Sequence, residues 1–161
     1  MIVIADTSVL LNLDLVGQLQ LLRLLFGTVI IPPAVKAEFE RLAATNGRFA
    51  GLILPDWVQV KSWQQTRLTD EILKLLDPGE SAAISLAIEL HADALLMDES
   101  EGRAVAQAHG LRTIGIVGIL IQARKAGHLP AIRPVIEDLR IRAKFRLSEA
   151  LVRHALSMCQ E

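Results

Sequence analysis

Five short apolar runs, each followed by a stretch with helical spacing, constrain this chain more than any other feature. The runs lie at 2–5, 28–31, 58–61, 94–97 and 113–114. Several lack apolar–polar alternation, as expected of strands buried on both faces. Helical patterns are read at 7–25, 33–44, 69–75, 79–91, 101–109 and 116–126. Such alternation predicts an α/β fold with a parallel sheet, and right-handed crossovers place helices on both of its faces. Pro32-Pro33 marks a helix start and Asp77-Pro78-Gly79 a turn into the next helix, while Gly110 and Gly127 sit where helix C-caps belong. The tail reads as two more helices. One carries Ile132, Val135, Ile136 and Leu139; the other is capped by Ser148 and carries Leu151, Val152, Ala155, Leu156 and Cys159. The expected organisation is a domain over 1–130 and a helical extension over 131–161, packed on that domain or on a dimer mate.

Composition narrows the class. With 161 residues the chain has the length of one domain, and its hydrophobic fraction of 52% leaves no room for a long disordered tail. A single Cys, Cys159, excludes a disulfide framework and a multi-Cys zinc site. The first residues, Met1-Ile2-Val3-Ile4-Ala5-Asp6, lack the basic start of a signal peptide, and no uncharged apolar run approaches the ~18 residues of a membrane span. The expectation is a cytoplasmic protein without membrane contact. Residues 1–101 carry 7 basic and 14 acidic side chains, whereas 102–161 carry 10 basic and 4 acidic. Solvated helix faces would account for this. So would an acidic site beside a basic surface, an arrangement suited to a metal site acting on a polyanion.

Two carboxylates occupy telling places. Asp6 directly follows the first run and Asp98 the fourth. In open parallel sheets ligands bind beyond the carboxyl ends of strands, where the strand order reverses. Either Asp could instead be a helix N-cap. Glu38, within Val35-Lys36-Ala37-Glu38-Phe39, could be a surface helix residue. Glu80, in Asp77-Pro78-Gly79-Glu80-Ser81, lies in a first helical turn, where the helix dipole favours an acid.

Taken in order, Ile4-Ala5-Asp6-Thr7-Ser8-Val9-Leu10, Val35-Lys36-Ala37-Glu38-Phe39, Asp77-Pro78-Gly79-Glu80-Ser81-Ala82-Ala83-Ile84 and Leu95-Leu96-Met97-Asp98 resemble the motifs of PIN-domain proteins. The chain also looks close to the bacterial and archaeal subfamily related to VapC-like toxin ribonucleases, and the likeness spans residues 1 to about 122. It implies a five-stranded parallel sheet of order 3-2-1-4-5, with Asp6 and Asp98 facing across the crevice and Glu38 and Glu80 completing an acidic quartet. Carboxylates ~4 Å apart repel by about 4 kcal/mol at an effective dielectric of 20, so such a quartet takes up protons or a cation. An all-oxygen donor set suits Mg²⁺ or Mn²⁺. The resemblance further implies hydrolysis of RNA phosphodiesters, a supporting hydroxyl at Ser8, an antitoxin partner and a homodimer. Glu101 is an auxiliary candidate and Arg103 a candidate phosphate contact. A non-catalytic PIN-like module that binds RNA or protein is the alternative.

Two departures stand out. Glu80 replaces the Asp of the typical toxin, and Glu99-Ser100-Glu101 is acidic where many relatives are basic. Positive charge for RNA must then come from Arg103, Arg112, Arg124, Lys125 or the tail run Arg140, Arg142, Lys144 and Arg146. A phosphorylated receiver domain would need a second acid beside Asp6 and a Lys after a late strand. A dinucleotide-binding domain would need a G-x-G-x-x-G turn. Both features are missing.

Overall fold

In the computed structural model, which describes residues 1–161, five parallel strands form one sheet of order β3-β2-β1-β4-β5. The strands are β1 (Val3–Ala5), β2 (Val29–Ile31), β3 (Val58–Val60), β4 (Ala94–Leu96) and β5 (Thr113–Ile114). Every residue of β1, β2 and β4 is buried, which is why these runs lack alternation. Ile4 pairs with Ile30 on one side and Leu95 on the other, so β1 is the centre from which the order runs outward in both directions. The reversal between β1 and β4 is the switch point.

The first helical stretch departs from expectation. Residues 7–25 are not one helix but two, α1 (Thr7–Leu15) and α2 (Gln20–Phe26), bent by 119°. Gly17 adopts φ +73, its N–H bonds to the Asp14 carbonyl, and the Gln18 N–H bonds to that of Leu13. This paired closure needs a left-handed residue, and Gly takes that conformation without strain. Turning the leucine run through the bend buries Leu10, Leu13, Leu21 and Leu22 in one core. No single helix is long and apolar enough to cross a membrane.

Helix α3 (Pro33–Thr45) starts with proline at its first position and leads through a 3-10 turn at Gly47–Phe49. Helix α4 (Arg67–Leu73) begins two residues before the expected 69. Thr66 and Thr69 exchange side-chain-to-backbone bonds of 3.2 and 2.7 Å, and this capping box sets the start. Then come α5 (Pro78–Glu89), α6 (Ser100–Ala108) and α7 (Ile116–Lys125), the last two closed at Gly110 and Gly127 as expected.

The tail folds as α8 (Arg133–Ile141) and α9 (Glu149–Met158), with Ser148 Oγ accepting the Leu151 N–H at 3.1 Å. Ile132, Val135, Ile136, Leu139, Val152, Ala155 and Leu156 join the sheet residues in one continuous core of 45 side chains. The last residue helps hold them there. The Glu161 carboxylate accepts the N–H groups of Ile132 and Arg133 at 2.8 and 3.2 Å and pairs with Arg124 at 3.9 Å.

Candidate functional site

Asp6 extends β1 by one rung: its N–H bonds to the Leu96 carbonyl at 2.9 Å. It stands at the N-cap position of α1, yet its side chain makes no capping bond. Its carboxylate instead faces a cavity of about 460 Å³ shared with Ser8, Glu38, Asp77, Glu80, Glu99 and Glu101, in which Lys74 is the one cation. Glu38 arrives from the second turn of α3, and Glu80 from the first turn of α5. Asp77 caps α5 by accepting the Glu80 N–H at 2.8 Å, which places Asp77 and Glu80 on the same side of the helix start.

Crowding leaves an electrostatic mark. Burial, with Asp6 only 5% exposed, raises its pKa from 3.8 to about 7. The Thr7 backbone N–H offsets part of that rise, while Glu80, Glu38 and Asp77 add to it. Glu80 rises from 4.5 to about 7 through burial, then through the charges of Asp77, Glu99 and Glu101. Glu38 is also raised, by burial and then Asp77, against the opposing pull of Arg41 and the nearby Thr7 hydroxyl. That hydroxyl is near enough to favour the charged carboxylate, although Thr7 Oγ1 has no partner of good hydrogen-bond geometry.

Asp98 lies on the other side of the switch point. It does not line the acidic cavity but borders two adjoining ones, of about 520 and 740 Å³, the first shared with Ser8 and Glu99 and the second with Arg103. Asp98 Oδ1 accepts the N–H of Ile116, the first residue of α7, at 3.1 Å. Its Oδ2 is buried with no partner, as is Ser8 Oγ. Burial takes its pKa to about 6, with the Ile116 N–H and Arg103 holding it lower than burial alone would.

Two glycines make room for these carboxylates. A Cβ on Gly115 would stand 2.6 Å from Asp98 Oδ1 and 2.8 Å from Arg103 Nη1, and one on Gly79 would stand 2.7 Å from Glu38 Oε2. Asp6, Ser8, Glu38, Glu80 and Glu101 line one cavity, while Asp98 and Arg103 sit beside it, against Gly115. Sequence reasoning missed Asp77 and Lys74 as members of the site. Asp77 was legible only as a turn, yet an N-cap residue and the third helical residue always share a side of the helix start.

The donor chemistry fits a hard divalent cation. The cavity offers carboxylate oxygens, and the orphaned Asp98 Oδ2 and Ser8 Oγ mark unfilled polar positions beside it. As they stand, no three His, Cys, Asp or Glu side chains are drawn together as a ready-made ligand group. An ion would have to draw them inward.

An open parallel sheet with carboxylates lining a cavity at its switch point defines an α/β protein with an acidic site beyond its strand ends. The chain belongs to the PIN-domain family: the family model DUF3368, described as a PIN domain, matches residues 2–161. PIN domains share a nuclease-like fold and are generally nucleases. Neither a curated protein nor a solved structure matches the chain.

Proposed function

We propose that the protein is an endoribonuclease dependent on Mg²⁺ or Mn²⁺, acting in the cytoplasm as a homodimer and as the toxin of a toxin–antitoxin pair. The observation that carries this reading is the acidic cavity, where burial and neighbouring carboxylates raise both buried Asp6 and half-buried Glu80 to a pKa of about 7. Such a group of acids is costly unless protons or a cation occupy it. The toxin role rests on the resemblance of the four motifs to that subfamily. Ile53, Leu75 and Ile141, at 81%, 66% and 66% exposure, supply apolar surface for a partner or a second copy.

Asp6, Glu38, Glu80 and Asp98 would hold the ion, with Ser8 and Glu101 in support. When bound, a divalent ion activates a water and neutralises charge on the scissile phosphate. Asp6 is fixed by the sheet and anchors the site. Glu80, in the first turn of α5, faces Asp6 across the same cavity and completes the anionic wall that would hold the ion. Lys74 lines the same cavity and balances a phosphate oxygen. The non-catalytic alternative draws on one observation, that no three ligating side chains stand grouped.

The test is cleavage of a panel of structured RNAs by partner-free wild type and Asp6→Asn, with Mg²⁺, Mn²⁺ or EDTA. Cleavage that disappears with EDTA and in the variant is the expected result. Cleavage that survives Asp6→Asn refutes the site. No cleavage together with no metal binding by calorimetry favours the binding module.

A further inference from the structure

An acidic cavity repels the polyanion it is meant to cut, so positive charge must stand near it. The tail run supplies that charge. Residues 140–146 hold Arg140, Arg142, Lys144 and Arg146 and no acid. The loop between α8 and α9 carries Lys144 and Arg146 back across the molecule to the switch point. There they border the cavity of about 520 Å³ that also contains Ser8, Asp98 and Glu99, with Arg48 from the 3-10 turn beside them. Arg146 also borders the adjoining cavity of about 740 Å³, together with Arg103 and Arg112.

The loop that carries these cations is tethered to the rest of the protein at several points. Arg48 Nη1 donates to the Ala143 carbonyl at 3.1 Å, the Phe145 N–H bonds to the Leu139 carbonyl at 2.9 Å, and Arg140 Nη2 donates to the Leu147 carbonyl at 3.2 Å. Lys144 sits at φ +54, a left-handed conformation that this tethering maintains. The four ion pairs of the protein are Lys36–Glu40, Arg67–Glu71, Arg124–Glu161 and Arg140–Glu149. Arg48, Arg112, Lys144 and Arg146 are in none of these pairs, while Arg103 stands against Asp98. Phe145 borders both cavities and offers an apolar face between the cations.

We propose that the α8–α9 loop and Arg48 form a rail for the phosphate backbone of single-stranded RNA, entering beside Asp98 and continuing past Arg103 and Arg112. Unpaired cations bordering an aromatic ring are the means by which proteins hold single strands without reading sequence. The identity of the strand as substrate rests on the ribonuclease reading; the rail itself is tested by binding alone.

The experiment measures binding of a fluorescein-labelled single-stranded RNA by anisotropy in EDTA, across a salt series. It compares wild type, Lys144→Gln/Arg146→Gln, Arg112→Gln and a control, Arg133→Gln/Arg153→Gln, which borders neither cavity. Each phosphate contact on a single strand contributes about 0.7 to the slope of log affinity against log salt. The double variant should lose about 1.4 of that slope and Arg112→Gln about 0.7, with unchanged melting curves and an unaffected control. An unchanged slope in both variants overturns the rail, even if the protein cleaves RNA. So does wild type that binds no RNA, or a control that loses as much slope as the double variant. Equal, Lys144-dependent binding of an acidic peptide of matching charge overturns the assignment to RNA. Loss of slope in a protein that never cleaves with Mg²⁺ or Mn²⁺ supports the rail and removes the nuclease reading.

Discussion

Replacing Asp6 with Asn should make the metal-free protein more stable at pH 8 while removing its activity. In the unfolded chain the Asp6 carboxyl ionises near 3.8; in the fold its pKa is about 7. Below pH 3.8 both states hold the proton and burial of this group carries no ionisation penalty. Between the two values the unfolded chain binds fewer protons than the folded one, so stability falls as pH rises. Above about 7 the whole penalty is present. A rise from 3.8 to about 7 corresponds to about 4 kcal/mol at ~1.36 kcal/mol per pKa unit. Asn keeps an acceptor for the Thr7 N–H but buries an amide, which leaves a net gain of about 2–4 kcal/mol at pH 8. Urea unfolding at pH 4, 6 and 8 in EDTA measures it. The stability difference between variant and wild type should grow with pH and level off above about 7, and saturating Mg²⁺ should shrink it by stabilising wild type selectively. A difference that is flat across this range, or equal Mg²⁺ stabilisation of both proteins, would refute the claim that Asp6 is a buried, cation-seeking carboxylate.

Gly115→Ala places a methyl group 2.6 Å from Asp98 Oδ1, so the carboxylate must leave the Ile116 N–H. Thermal melts should show a loss of about 1–2 kcal/mol, and RNA cleavage assays a loss of about 10- to 100-fold. Asp77→Asn keeps the cap on Glu80 but removes the charge that raises both Glu80 and Glu38. Calorimetric Mg²⁺ binding across pH should then reach half its maximum at lower pH, a shift kept small because Asp77 is exposed and screened. Glu161→Ala removes two bonds at the start of α8 and the pairing with Arg124, and urea melts should register about 1–2 kcal/mol of destabilisation with RNA cleavage retained.

The sheet was legible because its central strands are short, apolar and bounded by turn residues, and because two Asp follow two of them. Strand order came from the resemblance, since nothing local distinguishes 3-2-1-4-5 from other parallel orders. The break at Gly17 was hidden because apolar residues continue on both sides of it; only the left-handed φ separates a bend from a continuous helix. Asp98 was placed by its strand, but its orientation depends on the N–H of Ile116, eighteen residues away. The position of the basic loop was beyond local reasoning altogether. It is set by docking of the tail helices on the core and by the bond between Arg48 and the Ala143 carbonyl, which joins residues 95 apart.

The opposed charges of the two chain segments acquire a physical reason in this arrangement. Acids from the first 101 residues line the cavity at the switch point, and cations from the last 60 border the adjoining cavity that shares Ser8 and Glu99 with it. With Asp6 and Glu80 both near a pKa of 7, the field at the rim depends on what occupies the cavity. Empty and at alkaline pH, the cavity opposes the attraction of Arg48, Lys144 and Arg146 for a phosphate. Filled by protons or a divalent ion, it leaves that attraction unopposed. RNA affinity should therefore rise as pH falls through 7 in EDTA and be nearly flat with pH at saturating Mg²⁺. Asp6→Asn should weaken the first dependence and leave the Lys144 and Arg146 contributions to the salt slope intact.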